Sequence, residues 1–226
     1  MIELVKKAFN YSKRTAIISN QSEHTFDQLL SKSESIASCI LDGQEDLLGG
    51  RVVFLIPPSF KYVAIQWAIW RAGGIAVPLC TLHPLPSLKY VIEDSEASIL
   101  IVTKAYKESL EPLSKQLNIR LILVEDLTDS YLAELPNISM ERRAMILYTS
   151  GTTSKPKGVV TTHKNIQFQI ESLVKAWKWE SNDRILNILP LHHIHGIINV
   201  LCCALCAGAS CEFLPKFDSK KVWDKI

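Results

Sequence analysis

Short apolar runs recur along this chain with helix-like patterns between them, and this alternation restricts the fold more than any other feature. The runs fall at residues 51–56, 75–79, 98–102, 121–124, 144–147, 185–189 and 210–214. Unbroken stretches of this length and composition read as strands buried on both faces. Between them, Tyr62, Val63, Gln66, Trp67 and Trp70 mark one helix, and residues 85–93 a second. Residues 163–179 predict a longer third, with Ile166, Ile170, Leu173, Val174 and Trp177 on one stripe. The sequence therefore predicts an α/β fold, mostly parallel sheets flanked by helices on both faces. Ligands of such sheets bind beyond the carboxyl ends of the strands, so the segments after Leu147 and Leu189 are expected to face one crevice.

Composition sets outer limits on function. With 226 residues, 47% hydrophobic and 21% charged, the chain can bury one sizeable core. Its net charge of +2, from 25 basic and 23 acidic side chains, supplies no broad field for nucleic acid or an anionic membrane, so anion binding must be local. No stretch reaches the roughly 18 to 20 consecutive apolar residues that span a bilayer, and no targeting segment is evident in the first ten residues. No linker, repeat or low-complexity segment divides the chain; residues 42–50 and 128–139 read as surface loops. No oligomeric state is legible.

Four of the six cysteines, Cys202, Cys203, Cys206 and Cys211, crowd together as a metal cluster would. Their apolar neighbours, without knuckle-like turns, instead predict small core residues on a buried helix, and no metal is expected there. Reduced thiols suit a cytoplasmic or mitochondrial matrix setting. Trp67, Trp70, Trp177 and Trp179 read as core and rim residues rather than base-stacking platforms.

One loop carries chemistry. Tyr148-Thr-Ser-Gly-Thr-Thr-Ser-Lys-Pro-Lys-Gly158 lies between β-like segments at 144–147 and 159–162. Small residues let a backbone close around an anion, hydroxyls and N–H groups donate to its oxygens, and Lys155 or Lys157 adds charge-assisted contacts. A nucleotide polyphosphate is the expected ligand. The loop is not a Walker P-loop, since four residues after Gly151 comes Pro156 and a strand follows instead of a helix. Composition alone leaves open a solvated linker.

The order of these residues, followed by Thr162-His-Lys-Asn165, closely resembles the phosphate-binding signature of the adenylate-forming superfamily of acyl-CoA synthetases, luciferases and peptide-synthetase adenylation domains. Thr25-Phe-Asp-Gln-Leu29, Trp70-Arg-Ala-Gly-Gly-Ile-Ala-Val-Pro-Leu79 and Leu189-Pro-Leu-His-His-Ile-His-Gly196 resemble further motifs of that superfamily, in the same order. Within it, Ala76-Val-Pro-Leu79, His83-Pro84, Pro190-Leu-His-His-Ile-His-Gly196, Leu214-Pro-Lys-Phe217 and Val222-Trp223 are most similar to the malonyl-CoA synthetases. Ser154 departs from the pattern, since most relatives carry Gly there. A positive φ at that position would cost about 1 kcal/mol.

The resemblance implies that a carboxylate attacks the α-phosphate of ATP, pyrophosphate leaves, and coenzyme A then cleaves the acyl-adenylate to a thioester. It implies that Thr149, Ser150, Gly151, Thr152, Thr153 and Ser154 cradle the β- and γ-phosphates, with Lys157 as the cation and Mg²⁺ neutralising the triphosphate. It puts His193 beside the carboxylate being activated and His195 deeper, towards the acyl pocket. His192, His193 and His195 together offer donors suited to the second carboxylate of malonate, a structural role or an adventitious metal site being the alternative for this trio. Another short or medium-chain acid, or a non-catalytic polyphosphate-binding or interaction product, remain alternative readings of the whole.

The superfamily's later motifs have no counterpart here. Residues 1–226 are therefore expected to form an incomplete N-terminal AMP-binding domain, lacking the later part of that domain and the C-terminal domain, and not to complete thioester synthesis alone. The relatives imply a mitochondrial location.

Overall fold

A computed structural model describes residues 2–127, 133–149, 155–214 and 217–225. Its strands are β1 (Thr15–Ser19), β2 (Ser22–Thr25), β3 (Arg51–Leu55), β4 (Ile75–Pro78), β5 (Ile99–Val102), β6 (Arg120–Leu123), β7 (Arg143–Thr149), β8 (Lys157–Thr162), β9 (Arg184–Asn187) and β10 (Ser210–Phe213). The helices are α1 (Glu3–Ala8), α2 (Phe26–Leu41), α3 (Phe60–Arg71), α4 (Leu85–Asp94), α5 (Lys104–Gln116), α6 (His163–Trp177), α7 (Cys203–Ala207) and α8 (Ser219–Trp223), with a π-helix over His195–Cys202.

The expected α/β architecture of mostly parallel sheets flanked by helices is present, as two sheets. One has the order β6-β5-β3-β4-β7-β8 and the other β2-β1-β10-β9. Every pairing is parallel except β7 with β8 and β1 with β2. The antiparallel β8 closes one end of the larger sheet, while β10 pairs with β1 and β9 with β10 in the smaller one.

Strand pleating assigns the faces. Val52 and Phe54 of β3 point into a core shared with α2 and α3, while Val53 and Leu55 point into a second core under α4 and α5. The first core also takes Ile17 and Cys211 from the smaller sheet, so α2 and α3 are packed between the two sheets. Trp67 and Trp70 of α3 are fully buried there, and Trp70 Nε1 donates to the Ala144 carbonyl at 2.8 Å.

Two helices start where their sequences say they should. Thr25 Oγ1 accepts from Gln28 N at 3.2 Å while Gln28 Oε1 accepts from Thr25 N at 2.8 Å. Thr162 and Asn165 form the same reciprocal cap at the start of α6, which gives part of the quoted Thr162-His-Lys-Asn165 motif a structural role.

Several expectations need correction. The third helix ends at Trp177, because Lys178 takes a left-handed φ of 54°, and Trp177 is 49% exposed rather than on the buried stripe. Cys202 closes the π-helix and Cys203 and Cys206 lie on α7, all buried, but Cys211 lies on β10. Of the segment read as a loop at 128–139, the part at 128–132 lies outside the described residues, and Ile138 is buried in the first core.

Candidate active site

The loop with hydroxyls and lysines is the connection of a β-hairpin. Thr149 at the end of β7 stands opposite Lys157 at the start of β8, and both are exposed. Ser150, Gly151, Thr152, Thr153 and Ser154 lie outside the described residues.

The stem of that hairpin is braced by α4. The Tyr148 hydroxyl donates to Asp94 Oδ2 at 2.6 Å, and the Tyr90 hydroxyl donates to the Pro156 carbonyl at 3.0 Å. The Tyr90 and Tyr148 rings meet edge to face at 6.4 Å, and Lys155 Nζ sits 5.7 Å from the Tyr90 centroid. Burial, then Asp94, raises the Tyr148 pKa far above its ordinary value, so the phenol stays a donor. Gly158 faces Tyr148 in register, and a Cβ there would lie 3.2 Å from the ring.

The histidine segment is a loop between β9 and the π-helix, held from two sides. Asn187, buried at the end of β9, donates through Nδ2 to the Gly196 carbonyl at 3.0 Å and accepts from Leu189 N at 3.1 Å. The buried Tyr62 hydroxyl of α3 donates to the Leu191 carbonyl at 2.6 Å. Gly196 permits the return of the chain, since a Cβ would fall 2.6 Å from the Pro190 carbonyl oxygen.

Hairpin and histidine loop converge. A cavity of about 380 Å³ is lined by Tyr148, Thr149 and Pro156 from the hairpin, by His192 and His193, and by Cys80 and His83 after β4. Beside it, sharing Leu79, Cys80 and His192, lies a second cavity of about 530 Å³ with a largely apolar lining that includes Ile56, Leu82 and Leu191. Both open at carboxyl ends of parallel strands, where the sequence reading located the crevice.

The predicted site residues divide accordingly. Thr149 and His193 line the smaller cavity. Lys157 stands across the hairpin from Thr149 without reaching that lining. His195 is exposed rather than deep; it lines neither of these cavities, and its Nδ1 lies 3.3 Å from Asn199 Nδ2. Burial, then His193 and His83, lowers the His192 pKa to about 4, so at neutral pH it supplies a neutral donor and acceptor and no charge.

Sequence reasoning missed the braces Tyr90, Asp94, Tyr62 and Asn187. The spacing of Tyr90 and Asp94, one turn apart on α4, was the available signal. Tyr62 and Asn187 carry none, because their partners are remote in the chain or reached only through the fold of the loop.

Known proteins share this arrangement of sequence and fold. A family model described as AMP-binding enzyme matches residues 4–226. Malonate–CoA ligase ACSF3, mitochondrial, of Xenopus laevis is 40% identical, the match covering 99% of this chain and 41% of that protein. Malonate–CoA ligase of Arabidopsis thaliana is 34% identical, covering 99% of this chain and 42% of that protein. Among solved structures, ATP-bound MatB from Rhodopseudomonas palustris superposes with a TM-score of 0.88 at 25% identity, over 99% of this chain and 47% of that one. The chain thus spans less than half the length of these relatives.

Proposed function

Because the chain belongs to the AMP-binding enzyme family, we propose that it forms the phosphate-facing and acid-facing walls of an ATP-dependent acid–CoA ligase whose acid is malonate. In this reading residues 1–226 are part of a larger N-terminal AMP-binding domain. The observation that carries the proposal is convergence: Thr149 and His193, from motifs far apart in the chain, line one cavity.

A carboxylate oxygen attacks the α-phosphorus of ATP and pyrophosphate leaves; the thiol of coenzyme A then attacks the acyl carbon and AMP leaves. Charge spreads over phosphate oxygens during the first step, so fixed donors lower its barrier. Thr149, with Ser150, Gly151, Thr152, Thr153 and Ser154, supplies those donors, and Lys157 supplies a cation at the hairpin base. His193 donates to the carboxylate under activation, and neutral His192 to the second carboxylate of malonate. His195 takes no part in this version, being outside both cavities. Among the described residues the smaller cavity's lining offers no carboxylate to hold Mg²⁺, so no step is assigned to that ion.

The names of the relatives support malonate, and the mitochondrial label of the Xenopus laevis protein supports a matrix location. The neighbouring apolar cavity favours a second reading, a longer acid whose tail fills it. The test is AMP release by a full-length ligase containing these residues, supplied with ATP, coenzyme A and either malonate or a long-chain acid. Malonate-dependent turnover is expected, and His193→Ala and Thr149→Val are each expected to lower kcat/KM by at least tenfold. Turnover of the long-chain acid but not malonate would overturn the substrate assignment.

A further inference from the structure

The turn after β4 reads Cys80-Thr-Leu-His83, and the His83 N–H donates to the Cys80 carbonyl at 3.2 Å, closing a compact loop. Beside it stands His192, on the separately anchored loop after β9. The His83 and His192 ring centroids are 5.7 Å apart, and one ligand atom from each of Cys80, His83 and His192 lies within 4.8 Å of the others. Among the described residues this is the group of His, Cys, Asp and Glu side chains close enough to share an ion. The four clustered cysteines form no such group, and burial raises the pKa of each of their thiols.

We propose that Cys80, His83 and His192 form a Zn²⁺ site with three protein ligands and a fourth position open to the 380 Å³ cavity. One thiolate with two imidazoles is a borderline-soft set that suits zinc and disfavours Mg²⁺ and Ca²⁺, which take oxygen ligands. Tetrahedral zinc, with sulfur at about 2.3 Å and nitrogen at about 2.0–2.1 Å, separates its ligand atoms by about 3.4–3.6 Å. Contraction of about 1 Å closes the cluster from its present spacing. Side-chain rotation supplies it, because His83 is exposed and His192 half-buried. Cys80, 7% exposed, forms the fixed corner.

Binding exchanges the thiol proton of Cys80 for the metal, Zn²⁺ plus Cys–SH giving Cys–S–Zn⁺ and a released H⁺. Three protein ligands leave the fourth position for water or an anionic oxygen, and the cavity lined by Cys80, His83 and His192 is also lined by Thr149 and His193. The site does not depend on the acid-ligase reading, since it needs neither ATP nor an acid.

The metal-free, reduced chain is titrated with Co²⁺ as a spectroscopic probe and then with Zn²⁺. One Co²⁺ per chain is expected, with a thiolate-to-cobalt charge-transfer band and intense tetrahedral d–d bands, all displaced by Zn²⁺. Cys80→Ser should abolish the charge-transfer band and Cys39→Ser should leave it. His83→Gln and His192→Gln should each weaken Co²⁺ binding at least tenfold, with circular dichroism showing each variant folded. Zinc-edge X-ray absorption of the unmutated chain keeps the test independent of variant folding: one sulfur and two or three nitrogen or oxygen neighbours are expected. Absence of sulfur from that shell, a charge-transfer band that survives Cys80→Ser, or binding undiminished in both histidine variants would each overturn the proposal.

Discussion

The Tyr148 hydroxyl donates a 2.6 Å hydrogen bond to Asp94 Oδ2. It ties the strand entering the hydroxyl-rich hairpin to the last turn of α4, a helix whose Ser87 and Val91 line the same cavity as Tyr148 and Thr149. The hairpin's aim is therefore set by a helix as well as by strand pairing.

Removing that bond tests the point. Tyr148→Phe should lower stability by about 1 kcal/mol, because the acceptor is charged but the bond is exposed to solvent. Asp94→Ala should cost at least as much, because the Tyr90 hydroxyl also donates to Asp94 Oδ1 at 3.3 Å, and the double variant should cost little more than Asp94→Ala alone. Urea midpoints of the four proteins measure this coupling; fully additive losses would contradict it.

Gly158 faces the same ring. A Cβ there would lie 2.9 Å from Ile146 Cγ2 and 3.2 Å from Tyr148 Cζ, so Gly158→Ala must push side chains of β7 aside. A loss of about 1–3 kcal/mol is expected from this overpacking, with Gly158→Val worse. Thermal denaturation reads it, and an unchanged Tm in both variants would show that the hairpin yields freely.

Asn187 holds both ends of the histidine loop. Asn187→Ala strands the Gly196 carbonyl and the Leu189 N–H, and should cost about 1–3 kcal/mol. Amide hydrogen exchange at Leu189 should accelerate by more than the global loss explains, because the loop loses its local clamp.

Acid should destabilise the fold through His163. This residue is 5% exposed and packs edge-on against Trp70 at 5.9 Å. Burial, then the Arg142 charge, lowers its pKa from 6.5 to about 4. The unfolded chain therefore binds a proton below about pH 6.5 that the folded chain refuses until about pH 4, so the stabilisation is present above 6.5 and is lost as pH falls through this window. The full effect is at most about 3 kcal/mol. Folding free energies between pH 4 and 7 should show a steeper slope for the unmutated chain than for His163→Gln, and parallel slopes would refute the assignment.

Much of this was legible in advance because it is local. The runs at 51–56, 75–79 and 98–102 became strands since each is apolar on both faces. The caps of Thr25 with Gln28 and Thr162 with Asn165 are equally local, contacts three residues apart, yet went unread. Other elements that went unread lacked a local signature. The β1–β2 hairpin contains the polar Ser22-Glu-His-Thr25, and α5 carries an internal Pro112 and buries only a narrow stripe around Leu110 and Leu113.

The sequence by itself determined the class of fold and the chemistry carried by each loop, because periodicity, caps and side-chain type act between near neighbours. Tertiary structure alone decided how the strands divide between the two sheets, that His195 stands outside the cavity that Thr149 and His193 line, and that Cys80 and His83 meet His192. Those outcomes depend on β10 pairing with β1, and β9 with β10, in a second sheet, a long-range register fixed by burial around α2 and α3 and encoded in no local pattern.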